Sequence, residues 1–119
     1  MEDIWQDADS GRLLTAALAS GKPLAIVCHA PAAMPATRRN GVSPFAGYRV
    51  TAYTNDEEDA VGLREKARWT VEDELVKMGV DFTRGEIWKP YTVVDRNLYT
   101  GQNPASAAPL AQEMLKALK

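Results

Sequence analysis

The spacing of apolar residues changes several times along the chain, and each change marks an element. Leu13-Leu14-Thr15-Ala16-Ala17-Leu18 has helical spacing and predicts a helix over about 10–20. Asp9 or Ser10 is placed to cap its first amides, and Gly21 to take the left-handed conformation past its end. Leu24-Ala25-Ile26-Val27-Cys28 is an unbroken apolar run, as in a parallel strand covered by helices on both faces. The chain then turns at once, and Ala30-Pro31-Ala32-Ala33-Met34 suits a helix start with Pro31 near its first position. Residues 38–47 read as a loop with room for a small hairpin, and Arg49-Val50-Thr51-Ala52-Tyr53 as an alternating strand.

Asn55-Asp56-Glu57-Glu58-Asp59 opens a further helix, with its carboxylates at the end the helix dipole favours. A helix over 69–78 follows, with Thr70 paired to Asp73 or Glu74 at its start and Val71, Leu75 and Met78 on one face. Residues 80–83 read as a short strand. Residues 91–94 and 98–100 read as a hairpin around Asp95-Arg96-Asn97, and 104–118 as a closing helix whose buried stripe is Leu110, Met114, Leu115 and Leu118. Helices alternating with strands predict an α/β fold with a parallel sheet.

Composition narrows the function classes. The chain has 119 residues, which fits one domain over 1–119, and 45% hydrophobic with 25% charged residues is ordinary for a globular protein. A net charge of −2 lacks the basic footprint of a nucleic-acid binder. The acidic start Met1-Glu2-Asp3-Ile4 has no leader-like pattern, and no apolar run approaches the roughly 20 residues needed to span a bilayer. A single cysteine excludes an internal disulfide, so the cytoplasm is the expected location.

That cysteine is also the candidate chemistry. A sharp turn after a buried strand lifts the Cys28 sulfur out of the sheet, and the amides of the next helix favour its thiolate, drawing the pKa below the usual value. The small residues Ala25, Ala30, Ala32 and Ala33 leave room for such an elbow. His29, the one histidine, follows directly, and Asp56, Glu57, Glu58 and Asp59 are the carboxylates available to orient it. Taken singly, these residues read as a small core cysteine, a satisfied polar ring and a solvated helix start. Together, at a strand's carboxyl end, they read as a reactive centre. One cysteine and one histidine do not make a closed metal site, and no cofactor is expected. Trp69, Trp88 and Tyr91 read as core or interface residues.

Ala25-Ile26-Val27-Cys28-His29-Ala30-Pro31-Ala32-Ala33 resembles the nucleophile elbow of the ThiJ/PfpI superfamily, class I glutamine amidotransferase-like proteins, although that family usually has glycine at the position of Ala30. Thr51-Ala52-Tyr53-Thr54-Asn55-Asp56-Glu57-Glu58 resembles the family's next strand and acidic segment, and Thr100-Gly101-Gln102-Asn103-Pro104-Ala105-Ser106 its closing signature. The resemblance implies a flavodoxin-like three-layer sandwich with a mostly parallel sheet. It covers essentially the whole chain but only the C-terminal portion of the family fold, without its N-terminal strands. The nearest branch is the glyoxalase III-like and stress-chaperone group. It implies catalytic Cys28, His29 and Glu58, with Glu57 the alternative partner for His29, and the His29 amide as an oxyanion donor.

The implied substrate is a small 2-oxoaldehyde such as methylglyoxal. The rival expectations are a catalytically incomplete homologue acting as an oligomeric stress chaperone for unfolded protein, a cysteine oxidation sensor, and an amidotransferase-like peptidase or amidase. A half-sheet exposes edge strands, so the partner expected is a second copy or a complementing N-terminal chain; neither nucleic acid nor membrane is expected.

Overall fold

In the computed structural model, residues 3–118 are described; the Met1-Glu2 start and Lys119 lie outside the described residues. Asp7 opens the first helix, because its extended backbone lets the carboxylate accept the Ser10 amide at 2.8 Å. Helix α1 (Ala8–Ala19) therefore begins two residues before the predicted start, capped by Asp7 and not by Asp9 or Ser10. Gly21, at φ 74°, takes the expected left-handed turn into strand β1 (Leu24–Val27). Strands β2 (Arg49–Val50) and β3 (Asp81–Phe82) form a two-stranded parallel sheet. Strands β4 (Thr92–Asp95) and β5 (Leu98–Gly101) make the predicted hairpin, with Arg96 in its turn at φ 57°. β1 joins β5 in parallel, giving the order β1-β5-β4. The resulting α/β fold is flavodoxin-like, and two of its three strand pairings are parallel.

Side chains leave β1 alternately to two faces. Leu24 and Ile26 point to the main core, which joins Leu18, Met34, Phe45, Val50, Leu75 and Leu98. On the other face Val27 lies beside Gly101, where Leu110 of α4 (Ala107–Ala117) also packs. Cover of β1 is less complete than its apolar run predicted. Ala25 is exposed, because β1 is the terminal strand of its sheet and only β5 flanks it there.

The segment after the elbow is a 3-10 helix, Ala30–Thr37, and not an α-helix. Pro31 and Pro35 lack the amide hydrogens that i→i−4 bonding needs. Within 38–47 the hairpin reduces to one antiparallel bridge between Arg39 and Val42. The strand predicted over 49–53 keeps ladder pairing only at Arg49–Val50; the Thr51 amide donates instead to Thr100 Oγ1 at 3.0 Å.

Helix α2 (Asn55–Ala60) starts in a capping box. Thr54 accepts the Glu57 amide, and the Glu57 carboxylate accepts the Thr54 amide. Helix α3 (Val71–Lys77) is capped by Thr70 through the Asp73 amide, with Val71, Leu75 and Met78 buried as their spacing predicted. A 3-10 turn, Pro104–Ser106, precedes α4. The predicted stripe of α4 holds for half its length: Leu110 is buried and Met114 half-buried, while Leu115 and Leu118 are 59% and 66% exposed. α4 meets β5 and β1 through its early turns, so the helical spacing continues past the surface it covers.

Gly11 sets the approach of α1 to the 3-10 helix. A Cβ there would stand 2.2 Å from the Ala36 carbonyl oxygen. Gly11→Ala is expected to lower stability by about 1–3 kcal/mol in chemical denaturation, despite the better helix propensity of alanine. An unchanged midpoint would show that α1 slides freely on its neighbour.

Candidate active site

β1 ends where Cys28 adopts φ 63°, a left-handed conformation that costs a non-glycine residue on the order of 1–3 kcal/mol. Two backbone bonds fix the reversal. The Cys28 amide donates to Gly101 at 2.9 Å, and the Cys28 carbonyl accepts the Tyr53 amide at 2.9 Å. The reversal leaves the thiol half-buried, with Sγ 3.5 Å from Nδ1 of His29.

His29 turns its other nitrogen, Nε2, to the Glu58 carboxylate, which is buried while the imidazole is about a third exposed. With Nε2–H donated to Glu58, Nδ1 is the acceptor facing the thiol. Of the four acidic residues offered by the sequence, Glu58 reaches the ring. Asp56 pairs with Arg84, Asp59 pairs with Arg64, and Glu57 points elsewhere. Tyr53 lies against the imidazole, ring centroids 4.1 Å apart, and Trp88 meets Tyr53 edge-on at 6.0 Å.

Desolvation is the main influence on the cysteine and raises its pKa. The His29 amide lowers it, and the charges of Glu57 and Glu58 add to the rise. The sequence expectation of a lowered pKa is therefore overturned. Half-burial beside two carboxylates outweighs what the 3-10 helix start offers. Burial, then the charges of Glu58, Cys28 and Glu57, push the Tyr53 phenol up to about 12, so it stays protonated at neutral pH.

Glu57 is fully buried and accepts five hydrogen bonds. Oε1 receives the Thr54 amide and hydroxyl and the Gln102 side-chain amide, at 3.0–3.1 Å. Oε2 receives the Trp88 amide at 3.1 Å and the Asn103 side-chain amide at 2.8 Å. Burial alone would raise its pKa; the bonds from Asn103, Trp88, Thr54 and Gln102 outweigh that and hold it below the usual carboxylate range.

Tyr53 and Trp88 were missed as site residues by sequence reasoning, and Gln102 and Asn103 were seen only as part of a signature. Trp88 is not a core residue: it is 43% exposed and has φ 61°. Two amide side chains directly after a strand, Gln102-Asn103, were the available signal of a buried polar partner. Trp69 does pack on the core, and it stacks with Trp5 at 5.1 Å. Among the described residues no cluster of three or more His, Cys, Asp or Glu side chains is arranged to hold a metal. None of the helices described is long and apolar enough to cross a membrane.

An elbow at the carboxyl end of paired parallel strands, with a thiol, an imidazole and a carboxylate in series, defines an α/β protein of the elbow-bearing class. No protein-family model matches the chain. The glutathione-independent glyoxalase HSP31 of Saccharomyces cerevisiae is 34% identical over 108 residues, 85% of this chain and 46% of that protein. The protein/nucleic acid deglycase HchA of Staphylococcus aureus is 27% identical over 126 residues, 98% of this chain and 43% of that protein. The crystal structure of glyoxalase III from Candida albicans superposes with a TM-score of 0.81 at 26% identity, covering 90% of this chain and 48% of that one. The chain belongs to the ThiJ/PfpI superfamily, in its glyoxalase III-like branch. It spans about half the length of the relatives it matches.

The raised thiol pKa predicts how Cys28 reacts with iodoacetamide. The alkylation rate is expected to keep climbing above the ordinary cysteine value of about 8.5. A rate already level at neutral pH would mean that the sulfur is held as thiolate.

Proposed function

We propose that the chain carries the thiol centre of a glyoxalase III or deglycase-type enzyme that converts small 2-oxoaldehydes such as methylglyoxal to 2-hydroxy acids. The observation behind this reading is the series Cys28 Sγ, His29 Nδ1 at 3.5 Å, and Nε2 on Glu58, at an elbow in a chain related to glyoxalases. Cys28, His29 and Glu58 are its catalytic residues.

Because the thiol is protonated at neutral pH, the reaction begins with transfer of its proton to His29 as sulfur attacks the aldehyde carbon. Glu58 holds the ring in place and stabilises its positive charge. The S–C bond forms, and the imidazolium returns the proton to the carbonyl oxygen, giving a hemithioacetal. The His29 amide is the oxyanion donor during attack. A base then moves the remaining aldehyde C–H proton to the neighbouring carbon by way of an enediol. The product is a thioester of the hydroxy acid, which water cleaves to release acid and thiol. The net change is addition of one water, with no external oxidant or reductant.

The base for the carbon-bound proton comes, in this proposal, from a complementing N-terminal chain or segment. Glu58 is engaged with His29, Glu57 accepts five donors, and Tyr53 stays protonated. The outer edge of β1 supports such a partner. Leu24 and Cys28 send their amides to Asn97, just before β5, and to Gly101 at its end, so the polar backbone groups of Ala25 and Val27 face away from β5. A reducing cytoplasm suits a lone reactive thiol.

Lactate formation from methylglyoxal, measured for the chain with its complementing segment supplied, is expected to fall at least a hundredfold in Cys28→Ala. Equal turnover by the two proteins would exclude Cys28 from the chemistry.

A further inference from the structure

We infer that Glu57 is a positioning residue for His29, acting through Trp88 and Tyr53; its relevance to catalysis rests on the function proposed above. Five donors and no acceptor face the Glu57 carboxylate, a site that an ionised acid alone satisfies in full. Four of the donors lie outside the local Thr54 amide cap, and three belong to other parts of the chain. The Trp88 amide comes from the loop between β3 and β4, and the Gln102 and Asn103 amides come from the two residues that follow β5.

The same two residues, directly after β5, hold that loop at both ends. Gln102 Oε1 accepts the Gly85 amide at 2.8 Å, and Asn103 donates to the Lys89 carbonyl at 2.9 Å. Trp88 sits between them at φ 61°, strained for a bulky residue and kept there by its bond to Glu57. Its indole meets the edge of Tyr53, and Tyr53 lies on His29. The imidazole is thus fixed by Glu58 at Nε2 and braced over its face by an aromatic pair that Glu57 locks in place. Two adjacent glutamates on α2 divide the work, one touching the ring and the other its support.

The chain has one histidine, so its ring can be observed alone. The readout is solvent exchange of the His29 Nε2–H proton by NMR, followed in wild type, Glu57→Gln and Trp88→Ala, with Glu58→Gln as the reference for a lost partner. Glu57→Gln turns an amide NH2 toward donors. Trp88→Ala removes the indole while leaving all charges unchanged. Both variants are expected to speed exchange at least tenfold while circular dichroism shows a folded protein. Wild-type exchange in folded Glu57→Gln, or in Trp88→Ala should Glu57→Gln not fold, would reduce Glu57 to a stabilising cap and overturn the inference. Neither readout needs turnover, so an inactive protein with the expected exchange would count against the proposed reaction and not against the brace.

Discussion

At Cys28 the chain leaves a parallel strand, reverses through a left-handed residue and enters a 3-10 helix. The strain is contained because the residue is gripped from two sides, by the Gly101 carbonyl of β5 and the Tyr53 amide beyond β2. Three segments distant in sequence thereby meet at one peptide. The positions of His29 and Tyr53 depend on the same reversal, since one follows it directly and the other is bonded to it.

Polar residues dominate the ground beside this elbow. Thr51, Thr54, Glu57, Glu58, Thr100, Gln102, Asn103 and Ser106 are all buried there. A buried polar group is tolerated when it is hydrogen-bonded, and Thr54, Glu57, Gln102, Asn103 and Ser106 form one connected network. Such a network has few alternative arrangements, because moving one member leaves another unpaired. It differs from the apolar cluster of Met34, Phe45, Val50 and Leu75, where packing supplies stability but little directional constraint. The fold therefore rests on an apolar core and is oriented at its site by polar bonds.

The elements legible in the sequence were those governed by local rules. Spacing placed α1, α3 and the β4–β5 hairpin, and turn chemistry placed Gly21 and Arg96. Errors fell where a local pattern outran its tertiary surroundings. Leu115 and Leu118 continue the stripe of α4 into solvent, and Ala25 lies on a strand with a neighbour on one side only. The run 49–53 has a strand pattern, yet past Val50 its amides find partners other than a ladder. At the site, the family resemblance put Glu58 beside His29, whereas spacing alone left four acidic residues open. The capping-box pattern Thr54-x-x-Glu57 was the only local mark of Glu57, because three of its five donors come from Trp88, Gln102 and Asn103.

By itself the sequence determined the order of helices and strands, the elbow motif and the kinship with ThiJ/PfpI proteins, since each is carried by residues close together along the chain. Tertiary structure alone decided that burial raises the thiol pKa, that Glu57 holds Trp88, and that Tyr53 covers the imidazole. Those properties depend on desolvation and on hydrogen bonds between segments tens of residues apart. Both arise only once the chain has closed around the site.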